Sequence, residues 1–289
     1  MRGRAAIGVV AFGLLNASAP AAAQGNGHGN AFGHYKSTVS AASAASQGNL
    51  HPGVSGTGVR NFGSWLDDAS VSDIGTGFVN FGFGLWKTPV YREIDVPTID
   101  SGFAIHRRVQ AGMSFPYYHA GPPGTPTTTQ GVGDIYLNAK VQVRAPSQKQ
   151  LGIGLIPIVE VLSVAPPSGG SRVQWALPAS VELQRKGWRA MGTGGYFSRG
   201  VVFGAGAIEL QLSKSATATG SLSHSYSTRQ DDLSTALGFH RARTDVSGGL
   251  SVAVRPDISV YGSLGRTISA RDDNSATVIA AAGVSLRFK

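Results

Sequence analysis

Residues 275–289 read Ser-Ala-Thr-Val-Ile-Ala-Ala-Ala-Gly-Val-Ser-Leu-Arg-Phe-Lys, and their polarity alternates. Ala276, Val278, Ala280, Ala282, Val284, Leu286 and Phe288 fall on one face, and Thr277, Ala281, Gly283, Ser285 and Arg287 on the other. A period of two marks a β-strand, whose successive side chains point to opposite sides. With Arg287 set opposite an unbroken apolar row, this strand faces two different solvents. In a soluble sandwich the polar face would be outside. In a transmembrane barrel the apolar face meets lipid and the polar face lines the lumen.

The same alternation recurs upstream from residue 74. Residues 131–144 place Val132, Asp134, Tyr136, Asn138, Lys140, Gln142 and Arg144 against Ile135, Leu137, Ala139, Val141 and Val143. Residues 216–227 set Thr217, Thr219, Ser221, Ser223, Ser225 and Ser227 against Ala218, Leu222, His224 and Tyr226. The spacing predicts about twelve strands, at 74–87, 94–105, 108–118, 131–144, 150–163, 172–185, 187–198, 201–213, 216–227, 243–254, 257–268 and 275–288. Each is long enough to cross a hydrocarbon layer at a tilt, which takes about ten residues. An even count suits a closed bacterial barrel. The expected fold is therefore an all-β, antiparallel, up-and-down transmembrane barrel spanning residues 74–289.

Connections sort into two kinds. Residues 106–107, 146–148, 186–187, 214–215 and 255–256 are tight turns, whereas 120–130, 165–170, 228–242 and 269–274 are longer and polar. Short periplasmic turns alternating with longer outer loops is the outer-membrane pattern, and an even strand count puts both termini on the short-turn side. Trp86, Tyr117, Tyr118, Trp175, Trp188, Tyr196 and Tyr226 fall near predicted strand ends, where interface girdles belong.

At the N-terminus, Arg2 and Arg4 precede an apolar run from Ala5 to Leu15, and Ala21-Ala22-Ala23 offers a small-residue cleavage site. Residues 1–23 thus read as a secretory signal peptide. Its removal takes away two arginines and no acid, lowering the formal charge from +9 to +7. With no cysteine, an exported chain holds together without disulfides. Residues 24–73 form a separate periplasmic segment, Gly/Ala/Ser-rich as far as Gly58, flexible or a plug for the lumen. Phe62, Trp65 and Leu66 give it enough apolar surface to dock, though not to fold alone.

Forty glycines and only 14 % charged residues argue against a chain of amphipathic helices. Scattered arginines without a basic run interleaved with aromatics argue against nucleic acid, and the basic excess suits an anionic lipid surface. Expected partners are outer-membrane lipid and lipopolysaccharide, the barrel-assembly machinery and a small-molecule solute.

The expected lumen-lining set is mixed in sign: Asp134, Tyr136, Asn138, Lys140, Arg144, Glu160, Arg172, Glu182, Glu209, Arg243, Asp245 and Arg287, with Arg108 and Arg189 beside them. These groups either form a salt-bridged network that shapes the wall or sort solutes as charged rings do. No enzymatic site is expected. His224 is predicted to face outward near the outer rim, with Tyr226 two residues on, while Ser223 and Ser225 point the other way. No serine has glycine at both minus two and plus two, so a nucleophile elbow is absent. His28, His34 and His51 fit no compact metal spacing. Asp67-Asp68, Asp231-Asp232 and Asp272-Asp273 read as solvated loop acids. No cofactor is implied.

Two stretches carry a resemblance. The ending, with Gly283, Leu286 and Phe288 at matching positions, resembles the C-terminal assembly signal of bacterial outer-membrane barrels. Ala281 departs from it, standing where a polar residue is usual, and Lys289 follows the customary last aromatic. The stretch Gly131-Val132-Gly133-Asp134-Ile135-Tyr136-Leu137-Asn138-Ala139-Lys140 resembles the Gly-x-Gly-Asp-x-x-Leu-x-x-Lys strand of the outer-membrane transporter family grouped with the phenol meta-cleavage pathway, and the Arg255-Pro256-Asp257 turn fits too. The resemblance implies a barrel transporter for hydrophobic or aromatic compounds, with Asp134 and Lys140 as the matching polar residues. Two other readings stay open: a closed structural or adhesive barrel that binds a partner through its loops, and a lipid-modifying enzyme of the outer membrane.

Overall fold

This computed structural model describes residues 36–37, 61–62, 66–124, 126, 129–163, 171–198, 200–229, 240–269, 272–273 and 275–289. Twelve antiparallel strands close into one barrel. They are β1 (Gly77–Lys87), β2 (Arg92–His106), β3 (Val109–Gly121), β4 (Thr129–Val132 and Ile135–Arg144), β5 (Gly152–Leu155 and Ile158–Val161), β6 (Val173–Ala176 and Ala179–Arg185), β7 (Trp188–Phe197), β8 (Val201–Gln211), β9 (Ala216–Ser227), β10 (Ala242–Arg255), β11 (Ile258–Ser269) and β12 (Val278–Phe288). Each strand pairs with its neighbours in sequence, and β12 pairs with β1 along its whole length, from Val278↔Lys87 to Phe288↔Gly77, so no edge is left. Lys36–Ser37 and Asn61–Phe62 form a separate two-residue pairing.

All twelve expected strands are present, with ends shifted by a few residues. The tight turns gather at one end of the barrel and the longer connections at the other. Side chains alternate as the period of two requires. In β12, Ile279, Ala281 and Ser285 are buried in the lumen, while Val278, Val284, Leu286 and Phe288 are exposed on the outer face.

Three adjacent strands, β4, β5 and β6, are each interrupted near mid-wall. Pro157 and Pro178 occupy two of the breaks, where a missing N–H removes a ladder bond. Pro97 acts similarly in β2: the ladder passes from Asp95↔Tyr118 to Thr98↔Pro116, leaving Val96 and Pro97 outside the register. The interruption at Gly133–Asp134 resets the alternation of β4. Val132, expected on the Asp134 face, is instead 49 % exposed on the outside, whereas Asp134 is buried.

The aromatic girdle forms with two corrections. Trp175 meets Tyr196 edge-on at 6.0 Å, and Tyr196 and Tyr226 flank exposed Val202 on the outer face. Phe103 stacks on Phe288 at the opposite end, with centroids 6.4 Å apart. Trp86, however, is buried beneath the Arg243 guanidinium, 5.2 Å from the ring centroid, and Tyr118 lies opposite buried Asp95. Both occur at strand ends, as a girdle requires, but on the parity that faces inward.

A candidate lumen site closed by an internal segment

The largest departure from the sequence reading precedes β1. Residues 66–71 are buried, although they belong to no strand of the wall. Asp67 and Asp68, expected as solvated loop acids, are each 2 % exposed. The Lys140 ammonium on β4 donates to Asp67 Oδ1 at 2.7 Å and to Asp68 Oδ1 at 2.8 Å. Arg189 on β7 reaches Asp68 Oδ2 at 3.2 Å and Glu182 Oε1 at 3.5 Å, and its Nε donates to Glu209 on β8. The physical reason is that the neighbouring residues are small or apolar. They let the chain lie against the wall, and two wall cations offset the carboxylates' loss of water.

Main-chain groups complete the docking. Glu182 Oε2 accepts the Ser70 hydroxyl at 2.6 Å and the Ala69 amide at 3.2 Å. Thr193 exchanges two bonds with Asp67, accepting its amide at 3.0 Å and donating to its carbonyl at 2.7 Å. Ser180 donates to the Asp68 carbonyl at 3.0 Å, and Gln110 accepts the Ser72 amide at 3.1 Å. Leu66 adds an apolar contact with Met191 and Ala207. The Asp68 and Ser70 amides turn instead to the segment's own carboxylates, Asp67 Oδ1 at 2.8 Å and Asp68 Oδ1 at 3.2 Å, so the amides of residues 67–70 leave water with partners. Gly154 leaves the room: a Cβ there would come within 3.3 Å of the Ala69 Cα.

The cluster joins four carboxylates (Asp67, Asp68, Glu182, Glu209) to two cations (Lys140, Arg189). The surplus is negative. Burial accordingly pushes the Asp67 carboxyl up, to about 6, against the downward pull of the Lys140 ammonium.

Of the expected lumen-lining residues, the structure thus brings Lys140, Glu182 and Glu209 together, with Arg189. Arg243 and Asp245 form a second group toward the longer-loop end, where Asp245 Oδ1 accepts the Thr267 hydroxyl at 2.6 Å. Asp134 is buried and accepts both the amide and the hydroxyl of Ser163, at 2.8 and 2.9 Å, so its partner is not Lys140. Tyr136 and Glu160 face each other across the β4–β5 ladder, both 0 % exposed. Asn138 and Arg287 are half-buried on the inner face. Arg144 and Arg172 are exposed at opposite rims, and Arg172 is spent on the Leu162 and Ser163 carbonyls. Arg108 lies exposed in the β2–β3 turn. For these three arginines, being at or beyond strand ends outweighs parity.

Sequence reasoning missed Ser70, Gln110, Ser180 and Thr193 as docking groups. The one available signal was the Trp65-Leu66 pair beside Asp67-Asp68, which suggested docking without saying where. An apolar patch also lines the inside near the interrupted strands: Tyr136, Ile156, Ile158, Ala176, Phe197, Val201 and Phe203 pack as one cluster.

The barrel is similar to several solved structures. An outer membrane channel from Pseudomonas putida F1 aligns at TM-score 0.58 with 11 % identity, over 76 % of this chain and 98 % of that one. The NanC porin aligns at 0.53 with 10 % identity, over 72 % and 98 %, and the KdgM porin at 0.52 with 11 % identity, over 73 % and 99 %. This is the fold of outer-membrane channels. No family model matches the sequence, and no curated protein is similar to it in sequence. In this fold the segment at 66–72 lies inside the barrel, against the lumen face of the wall.

His224 is exposed on the outer face, with its Nδ1 2.9 Å from the Thr244 hydroxyl oxygen, while Ser223 and Ser225 face the lumen. His28, His34, His51 and Asp231-Asp232 lie outside the described residues. Asp272 is half-buried rather than a free loop acid: it accepts the Ser275 hydroxyl at 2.9 Å and the His240 amide at 2.8 Å.

Proposed function

We propose that this protein is an outer-membrane channel for small apolar or aromatic solutes, closed at rest by its own residues 66–72. The observation that carries this reading is the chemistry of the closure. A permanently filled barrel would be expected to pack apolar side chains through its centre. Here the central contact is a strip of chain held chiefly by hydroxyls, amides and ion pairs, and buried ion pairs add little net stability because desolvation offsets them. Such a contact orients the segment without locking it. The apolar cluster around Tyr136, Phe197 and Phe203 is buried inside the wall; uncovered when the segment leaves, it would favour an apolar solute over a sugar or an ion. The resemblance of residues 131–140 to the transporters grouped with phenol meta-cleavage points the same way.

The test is single-channel conductance of the refolded mature protein in a planar bilayer, beside a copy lacking residues 24–73. Current that is small or absent in the full chain and steady in the truncated copy is the expected result. Competition by toluene or phenol, but not by a disaccharide, would then support the solute class. Silence in both copies, with folding confirmed by heat-dependent gel mobility, would refute the channel reading. It would favour a closed barrel acting through its loops, the alternative that the paired lumen charges also suit.

A further inference from the structure

On the lumen side of the wall, one line of polar side chains crosses five adjacent strands. The register sets Ser259, Ser285, Asn80, Asp100 and Ser114 directly opposite one another on β11, β12, β1, β2 and β3. All five face inward and are at most 9 % exposed, while Val260, Val284 and Phe81 beside them in the chain face out. Directly opposite side chains have Cβ atoms about 4.5–5.5 Å apart, close enough to share one bound group.

Two adjacent members of that line bond to nothing in the wall. Neither Oδ1 nor Nδ2 of Asn80 has a hydrogen-bond partner among the described residues, nor does Ser285 Oγ, although both residues are 1 % exposed. Buried polar atoms are almost always paired, and each lapse needs a reason. The wall itself does not require them. Ala281 fills an inward position of the same strand as Ser285 with no polar atom at all.

The surroundings decide what fits. Phe78, two residues before Asn80 on the same face, leans over Gly102, where an added Cβ would strike its ring. Two residues after Asn80, an added Cβ on Gly82 would lie 2.8 Å from the Tyr261 hydroxyl, so that ring reaches across β12 to β1. Asn80 and Ser285 thus form a polar step between two aromatic rings, each set off by about 7 Å along the strand. A bare cation would bond Asn80 Oδ1 but face the positive end of the same amide. An anion would face Asp100, directly opposite Asn80. A hydroxyl both donates and accepts, so it can serve the Asn80 amide and the Ser285 hydroxyl at once.

We infer that Asn80 and Ser285 form a specificity subsite for the hydroxyl group of an otherwise apolar, uncharged solute, whose body packs between Phe78 and Tyr261. The inference rests on the channel reading above and narrows its solute class. A hydrocarbon without the hydroxyl leaves the buried amide unpaired and is disfavoured for that reason. The subsite lies near the tight-turn end of β1 and β12, so discrimination acts near that end of the path.

Equilibrium binding of para-fluorobenzyl alcohol and para-fluorotoluene to the full mature chain in detergent, read by fluorine NMR, tests this. Each affinity is referred to the probe's own partition into empty micelles. A closed resting state weakens both probes by one factor, so their ratio is unaffected. The alcohol should be favoured by at least about tenfold. Ser285→Ala should lower that ratio roughly threefold, and Asn80→Leu with Ser285→Ala should bring it close to parity. Replacing unpaired polar groups by apolar ones of similar shape is nearly neutral, so both variants should fold, as heat-dependent gel mobility would report. Ser221→Ala, on β9 and bonded to Ser247 at 2.6 Å, is the control and should keep the parent's ratio. A parent ratio near parity, the result if Asn80 bonds buried water only, would overturn the subsite. So would an unchanged ratio in the folded double variant, or an equal drop in Ser221→Ala. Binding needs no current, so silence in the bilayer would refute the channel alone, whereas a missing preference in a conducting protein would refute the subsite alone.

Discussion

Lys140 is the residue whose replacement should change the state of the lumen most cleanly. In Lys140→Met the side-chain length is retained and the ammonium is lost. Asp67 and Asp68, each within 2.8 Å of that ammonium and 1 % exposed as side chains, would be left buried beside Glu182 with only Arg189 to offset them. Breaking a buried pair by removing one partner costs about 3–5 kcal/mol. The barrel need not bear that cost, because residues 66–72 can leave the wall and return both carboxylates to water. At 1.36 kcal/mol per tenfold, a shift of about 3 kcal/mol moves the docked-to-released ratio by roughly 100-fold. The chain contains no cysteine, so one introduced thiol is a clean reporter. Leu66 is 1 % exposed, and Leu66→Cys should be protected from a water-soluble maleimide. Adding Lys140→Met should raise the labelling rate by roughly 100-fold, with gel mobility unchanged. An unchanged rate in a folded barrel would refute the view that the ion pairs hold the segment.

Other perturbations have equally definite outcomes. Docked Asp67 titrates at about 6, whereas the released residue should titrate near the usual ~3.9. The docked form therefore binds the extra proton between those values, so docking strengthens as pH falls from 7 through 6 toward 4 and weakens as it rises. Labelling of Leu66→Cys should be slower at pH 5 than at pH 7.5 once corrected for thiol ionisation, and Asp67→Asn should abolish that difference. Gly283→Val should destabilise the wall by roughly 1–3 kcal/mol through overpacking, because even a Cβ there would lie 2.5 Å from the Phe81 carbonyl and the Tyr261 hydroxyl. A lowered urea midpoint for loss of heat-modifiable mobility would report it. Phe288→Ala removes the stack with Phe103 and the last aromatic of the terminal strand, and should slow assembly into vesicles at unchanged final yield.

The wall was legible because lipid imposes a simple rule on every strand. Apolar side chains face out, and the period of two carries that rule even where the sequence holds prolines, as at Pro97, Pro157 and Pro178. Position near strand ends was less informative. Trp86 occupies a girdle position by sequence yet faces inward, because parity and not proximity to an end decides the side. Arg144 and Arg172 show the reverse, since their distance from mid-wall leaves them in water whatever their parity. The contents of the lumen were hardly legible. Docking of Asp67 and Asp68 joins residues from 72 to 126 positions apart, and no local pattern encodes such a match. Only the small residues Ala69 and Ser70 and the glycine at 154 mark a place where two backbones can approach, and they do so in hindsight of the register.

That separation also orders events in time. The segment before β1 is bound by Lys140 of β4, Glu182 of β6 and Arg189 of β7, all of which follow it in the chain by a long way. Its seat does not exist until those strands have lined up, and the space is enclosed only when β12 meets β1. Contacts across such long loops form late, after nearer pairings have reduced the entropy of closure. Filling of the lumen is thus expected to follow closure of the wall in this barrel's biogenesis.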